Sequence, residues 1–377
     1  MGNGIITDLY VDEDRNTPMA IFSGCATFGI GLGAIISGFI ADYTSWRWTF
    51  YSQSIFLALS LVVQFSFFQE TRSNVLLQRR CKAWNKWMEE QEHKGLYVLE
   101  PENEETKVPA RIICARWKPK IKGDEKEKPL KEMMKASLIL PFRMLFSDDI
   151  LWPVALWAAF SWSVLYVCLS AVMTMFKSHY RFTISQSNAI FASECSGAVV
   201  AVALGIWQEH FGWKHWMLRG QPEDRLYFAR VECMLLPIGL LIFGWAGEKG
   251  AHWSIPAVGM GIATIGITMV YLSVFNYFAD AYGRHASTAI AAQNLVRNGL
   301  CGCFPLFTNQ MFARLGYGWA CTIFSGIGVV LCVLPCLLKH FGPRARLRSK
   351  YAVSPDNPKK PSIASDSTGA SDSSGVV

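Results

Sequence analysis

The chain has 377 residues, enough for two soluble domains, but 51% of them are hydrophobic and they include 14 Trp and 24 Phe. With a mean hydropathy of +0.21, this composition argues against an ordinary soluble enzyme and for a core shared with lipid. The formal net charge of +7 would suit a nucleic-acid surface, yet Lys and Arg gather in loops and tail between apolar runs, where membrane topology accounts for them without nucleic acid.

Residues 1–19 form a mixed segment with Asp8, Asp12, Glu13, Asp14 and Arg15 just before the first apolar run. It lacks a basic region followed by a short apolar stretch and a cleavage site, so no cleaved signal peptide is expected. About 20 apolar residues in a helix cross the roughly 30 Å hydrocarbon layer. Eight segments meet that length: 20–41, 48–69, 150–176, 182–208, 226–246, 253–279, 286–313 and 315–338.

In the first span Gly24, Gly29, Gly31, Gly33 and Gly38 recur. The four-residue step from Gly29 to Gly33 predicts a face where a neighbouring helix approaches closely. The short link Ser45-Trp46-Arg47-Trp48 forces the second span to run antiparallel, which completes a two-span unit over 20–69.

Residues 70–149 carry 17 Lys and Arg against 14 Asp and Glu. They read as a water-exposed loop that divides two spans from six, with a basic, helical-looking piece up to Glu92 suited to a membrane surface. Six spans follow over 150–341. The tail 342–377, rich in Ser, Pro and Asp beyond Arg348, is predicted to be disordered.

Summed over alternate sides of the eight spans, 29 Lys and Arg fall on one side and 5 on the other, with only Arg230 and Arg297 inside spans. Both chain ends and the central loop are therefore expected in the cytoplasm.

Polar residues at membrane depth are costly and so mark functional candidates. Glu194 lies mid-span, and Ser187, Ala198 and Ala201 share its helical face. A protonatable carboxyl there could couple transport to protons; the plainer reading is a Glu held in packing. Arg297 lies roughly 16 Å into its span, with Gln293 one turn earlier and Asn294 beside it. That face could bind substrate or act in gating, and equally could satisfy backbone carbonyls freed near Pro305.

Tyr271, Asn276 and Tyr277, with Trp157, Trp162 and Tyr166, could line an amphipathic cavity or fill core and belt positions. No phosphate-binding loop, His-Glu-x-x-His pair or nucleophile elbow occurs, and Cys301-x-Cys303 lacks partner ligands. No enzyme activity, cofactor or metal is expected. No structural disulfide is expected either, since most of the 11 Cys lie in apolar runs.

Several stretches resemble one family. Thr7-Asp8-Leu9-Tyr10 with Arg15 and Met19-Ala20 is similar to its loop after the fourth span. Gly29-x-x-x-Gly33-Ala34-x-x-Ser37-Gly38 resembles its fifth-span antiporter motif, with Ala34 in place of Pro and Ser37 in place of Gly. Glu70-Thr71 with Leu76-Leu77, and Pro222-Glu223-Asp224-Arg225-Leu226, resemble the entries to the central loop and the ninth span.

Asn276-Tyr277, Asp280-Ala281-Tyr282-Gly283, Ala291-Ala292-Gln293-Asn294, Arg297, Phe304-Pro305-Leu306-Phe307, Gly316 and Trp319 resemble the last three spans. The family is the fungal drug:proton antiporter group of the major facilitator superfamily. It includes polyamine, multidrug and natural-product exporters.

The resemblance implies an all-α integral membrane bundle of two six-helix halves around a midplane substrate site. Here the second half is whole, only two helices of the first are present, and the first four spans are expected to be missing. It also implies proton-coupled efflux of a small organic molecule, a drug, toxin or fungal secondary metabolite, at the plasma membrane. Substrate, protons and lipid would be the partners, and the oligomeric state is unread. A chain short of four spans could instead be a non-transporting relic or a regulatory partner of full-length transporters.

Overall fold

The computed structural model describes residues 6, 10, 15–67, 73–94, 98–99, 112–113, 130–214, 223, 226–349 and 351–352. The motif at residues 7–9, most of the acidic and lysine-rich parts of the central loop, and residues 353–377 of the tail lie outside them, whereas 342–348, expected to be disordered with that tail, are helical. The described chain is all-α except for two-residue strands, Val98–Leu99 paired antiparallel with Ile112–Ile113.

The helices are α1 (Asn16–Tyr43), α2 (Trp46–Phe67), α3 (Ser73–His93), α4 (Leu130–Ser147), α5 (Leu151–His179), α6 (Ile184–Ala189), α7 (Ala192–Lys214), α8 (Ala229–Glu232), α9 (Leu235–Glu248), α10 (Ser254–Tyr282), α11 (Ala286–Leu331) and α12 (Leu334–Arg348). Seven apolar helical stretches are long enough to cross a membrane. Their flanks are marked by short polar links, and the capping box at Thr183, in which Thr183 and Gln186 satisfy each other's backbone N–H, starts α6.

Two expected single helices are interrupted. The hydrogen-bond ladder of the run 182–208 is interrupted at Ile190 and Phe191, between α6 and α7, and that of 226–246 at Cys233 and Met234, between α8 and α9, but Ile190, Cys233 and Met234 keep helical dihedrals and each run remains one span. Apolar composition sets a span's length, but neither break carries a Pro or Gly that would announce it.

The last two expected spans, conversely, are one helical stretch that folds back on itself. Gly316 adopts φ 78° and ψ 169° inside α11, and the rings of Phe304 and Phe324 lie 5.9 Å apart. Twenty residues of straight helix would separate them by about 30 Å, so the chain reverses at Gly316. Glu248 holds the turn, accepting hydrogen bonds from the Tyr317 N–H at 2.7 Å and the Gly318 N–H at 3.4 Å.

The lobe is built from α5, α9 and α10 packed with both arms of α11. Its core holds Trp157, Tyr277, Tyr282, Phe176, Phe243, Phe275 and Phe278, all fully buried. The sequence placed 70–149 wholly in water; instead α4 packs on α11 and buries Met144 and Leu145. The end of that segment belongs to the lobe because its apolar residues meet a core that needs covering.

At the same end Asp148 is buried and accepts from Tyr282 Oη at 3.0 Å, Ser349 Oγ at 2.6 Å and the Ile150 N–H at 3.1 Å. Beside it in the lobe, Arg346 of α12 pairs with Glu223.

On the other side of the lobe α1 packs along α7, α6 and α10, whereas α2 touches α1 alone among the stronger pairings and buries none of its residues.

Candidate functional site

Besides the Asp148 cluster and the Arg346–Glu223 pair, two polar groups gather the candidate residues, one in the seam between α1 and the lobe and one inside the lobe.

The seam is made by glycines, but not by the pair the spacing suggested. A Cβ added at Gly29 or Gly33 would meet nothing within 4 Å. One added at Gly24 would lie 2.0 Å from Val202, at Gly31 2.9 Å from Cys195 Sγ and 3.2 Å from the Phe191 carbonyl, and at Gly38 2.3 Å from Asn188. The close-packed stripe therefore repeats every seventh residue, and its partners descend from 202 to 188, so α1 runs antiparallel to α6 and α7. A seven-residue repeat returns a helix to almost the same face, and the GxxxG pattern turned attention to the wrong one.

Replacing Gly31 with Leu should force the seam apart, costing about 1–3 kcal/mol as overpacking does. Gly29→Leu should leave the melting temperature of the detergent-solubilised protein almost unchanged. Equal losses would reject the stripe.

Inside the seam the face expected of this span is buried as a set: Ser187 on α6 and Glu194, Ala198 and Ala201 on α7 are each at most 1% exposed. Glu194 packs its Cβ near Gly31, and among the described residues neither carboxyl oxygen has a hydrogen-bond partner. It occupies the first turn of α7, just past the break in the span. Hydroxyls line the same seam, with Thr268 Oγ1 donating to Thr27 Oγ1 at 3.3 Å and Ser23 buried beside them in the first span.

The seam is tied at both ends. At one, Arg15 contacts Asp280 at 3.1 Å. There Asn276 donates to Asn16, and Asn16 donates to the Gly205 carbonyl at 3.4 Å. At the other, Asp42 accepts from Ser185 Oγ at 2.6 Å and its N–H at 3.2 Å. Asn276 thus belongs to this tie rather than to a cavity with Tyr271. Asp42 belonged to no motif, and Arg15 and Asp280 stood in two separate family-like stretches that did not pair them; only the positions of Arg15 and Asp42 flanking the first span could have hinted at these contacts. Ala34 and Ser37 lie on the same helix, where Ser37 Oγ donates to the Ala34 carbonyl at 3.0 Å.

The second group centres on Arg297 in the first arm of α11. Its guanidinium donates to Tyr271 Oη and, at 3.3 Å, to Asn298 Oδ1. It also lies 5.0 Å from the Trp162 ring centre and 5.5 Å from that of Tyr271. Those two rings are 4.5 Å apart, and Phe275 follows at 4.0 Å from Tyr271. The expected meeting of Arg297, Tyr271 and Trp162 thus occurs, in a cage where cation–π attraction holds the planar head.

Gln293, one turn earlier, is fully buried, and among the described residues neither its amide atoms nor the carbonyl oxygen of Asn294 finds a partner. No hydrogen bond or ion pair joins Arg297 to Glu194. Arg230 and Glu232, near the break after α8, part as their spacing implies: Arg230 lies 4.7 Å over the Tyr227 ring and Glu232 accepts from Gln208.

A bundle of long apolar helices that buries an acid in one seam and holds an arginine among aromatic rings is suited to a lipid bilayer, where polar side chains must face protein or water. The family model described as Major Facilitator Superfamily matches residues 1–305. The chain belongs to the major facilitator superfamily.

Among curated proteins it is similar to the transporter paaT of Penicillium rubens, 28% identical over 94% of this chain and 61% of that protein. It is also similar to the multidrug transporter FLU1 of Candida albicans, 28% identical over 92% and 54%. A third relative, the efflux pump FUBT of Fusarium oxysporum, is 25% identical over 94% and 56%. This major facilitator chain therefore spans little more than half the length of these fungal relatives. No solved structure matches it.

Proposed function

We infer that the protein is a fungal secondary transporter of the drug:proton antiporter group, exporting a small organic molecule in exchange for protons across the plasma membrane. Counting the two arms of α11 separately gives eight crossings, and the 29-to-5 division of Lys and Arg supports a cytoplasmic position for both chain ends. The six that follow the central loop make one lobe, and α1 and α2 belong to the other.

The observation that carries this reading is Glu194, buried without a partner where α1 meets the lobe. Alternating access rocks the two halves about such a seam. A carboxylate in this position needs water or a counter-charge, and opening the seam supplies the first. Proton uptake and release at Glu194 are thereby tied to the rocking movement, while the ties Arg15–Asp280 and Asp42–Ser185 close its two ends.

The test is transport by the full chain in proteoliposomes under an imposed pH gradient, with rhodamine 6G as a cationic probe and fluorescein as an anionic one. The wild type should accumulate at least one of them. Glu194→Gln should lose gradient-driven accumulation while keeping exchange of labelled for unlabelled probe without a gradient. Failure of the wild type with both probes would reject the transporter reading in favour of a non-transporting membrane partner, and gradient-driven uptake by Glu194→Gln would remove the acid from the coupling role.

A further inference from the structure

Arg297 poses a problem of charge. It lies roughly 16 Å into its span, where a guanidinium costs a few kcal/mol or more unless it is paired or hydrated. Its partners in the lobe are all uncharged: the Tyr271 hydroxyl, the Asn298 side chain and the faces of Trp162 and Tyr271. Among the described residues no carboxylate lies within ion-pair distance of it; Asp280 pairs with Arg15 and Glu223 with Arg346.

The nearby polar groups are also short of partners. Gln293, one turn away on the same helix, is fully buried with neither amide atom bonded to a described residue, whereas buried amides are nearly always satisfied. A guanidinium without a counter-ion beside an orphan amide is a half-made site. With Nε and Nη2 on Asn298 and one N–H of Nη1 on Tyr271, one N–H each of Nη1 and Nη2 is left over, a pair suited to carboxylate oxygens. The packed rings give the site an aromatic, apolar wall.

We propose that Arg297, with Gln293 and the Trp162–Tyr271–Phe275 cage, is the recognition site for the cargo, and that the cargo is an aromatic carboxylate rather than a cation. The proposal rests on the transporter reading for the word cargo, but the site itself makes a claim about binding that holds whether or not the chain transports. A cationic aromatic molecule would meet the same rings with the charge of Arg297 against it.

Binding is read by equilibrium dialysis of radiolabelled naphthoate against the full chain in neutral phosphatidylcholine vesicles, with protein-free vesicles as the blank. Naphthamide and naphthylmethylamine, of nearly the same shape but neutral and cationic, are the competitors. Naphthoate should bind about tenfold or more tighter than the amide, because a charge-assisted, two-pronged contact is lost with the carboxylate, and the amine should not compete. Arg297→Gln should abolish the preference, and Arg297→Lys should keep part of it, since a point charge replaces a planar fork.

Equal binding of the three probes by the wild type, or none, overturns the proposal without recourse to any variant. So does an undiminished carboxylate preference in Arg297→Gln, and so does displacement of naphthoate by phosphatidylglycerol, which would make a lipid headgroup the occupant. Selective binding in a chain that moves no probe would leave this site standing and reject the transport reading; transport without carboxylate selectivity would do the reverse.

Discussion

Replacing Arg346 with Met should lower the stability of the purified chain by about 3–5 kcal/mol, the usual result of stranding one member of a buried ion pair. Arg346 Nε lies 2.8 Å from Glu223 Oε1, with the two side chains only 3% and 5% exposed, and Nη2 donates to Oε2 at 2.8 Å. The pair joins the last helix to the segment that enters α8, next to the Asp148 cluster that binds α4, α10 and Ser349 together.

The charge left behind does the damage, so the double variant Arg346→Met/Glu223→Leu should recover much of the loss, as replacing a whole buried pair by apolar groups often does. Thermal unfolding in detergent measures both. A double variant no more stable than the single one would mean that Glu223 is held by other groups and that the pair does not organise this end of the lobe.

How much of this was legible beforehand depends on what lipid does to a sequence. Apolar stretches were readable because length and apolarity set them, whereas the charges of 70–149 hid α4, which packs in the lobe. Which face of each span turns inward was not readable, because a helix apolar on every side has no periodicity to report; α2, with none of its residues buried, and α10, buried almost throughout, look alike in composition.

Polar residues escaped that limit. Glu194, Arg297 and Tyr271 were visible because each is expensive where it stands. Even so, the sequence could not say that Tyr271 and Trp162 would receive Arg297, nor that Asn276 would serve the seam with Asn16 instead. Those outcomes depend on contacts between residues far apart in the chain, such as 16 with 276. The seam glycines show the same limit from the other side. Gly24, Gly31 and Gly38 recur in the first span alongside Gly29 and Gly33, and only the neighbour that crowds them tells the two sets apart.

The reversal at Gly316 yields the other large expected effect. Its φ of 78° with ψ of 169° falls in a region that essentially only Gly occupies, and forcing a side chain there costs about 1–3 kcal/mol. An added Cβ would also stand 2.9 Å from one oxygen of Glu248 and 3.0 Å from the other, disturbing the carboxylate that accepts from Tyr317 and Gly318 at the start of the second arm.

Gly316→Ala should therefore lower the melting temperature through both strain and loss of the cap, and Gly316→Val should lower it further. Glu248→Ala, which removes only the cap, should cost about 0.5–2 kcal/mol, and the double variant Gly316→Ala/Glu248→Ala should lose less than the sum because the crowding disappears with the carboxylate. Gly326, in the same helix with open space around it, is the control. Alanine there should leave stability unchanged or raise it by up to about 1 kcal/mol through helix propensity. Were Gly316→Ala to behave like Gly326→Ala, the chain would be turning without the left-handed residue, and the two arms of α11 would have to be a single helix bent by something else.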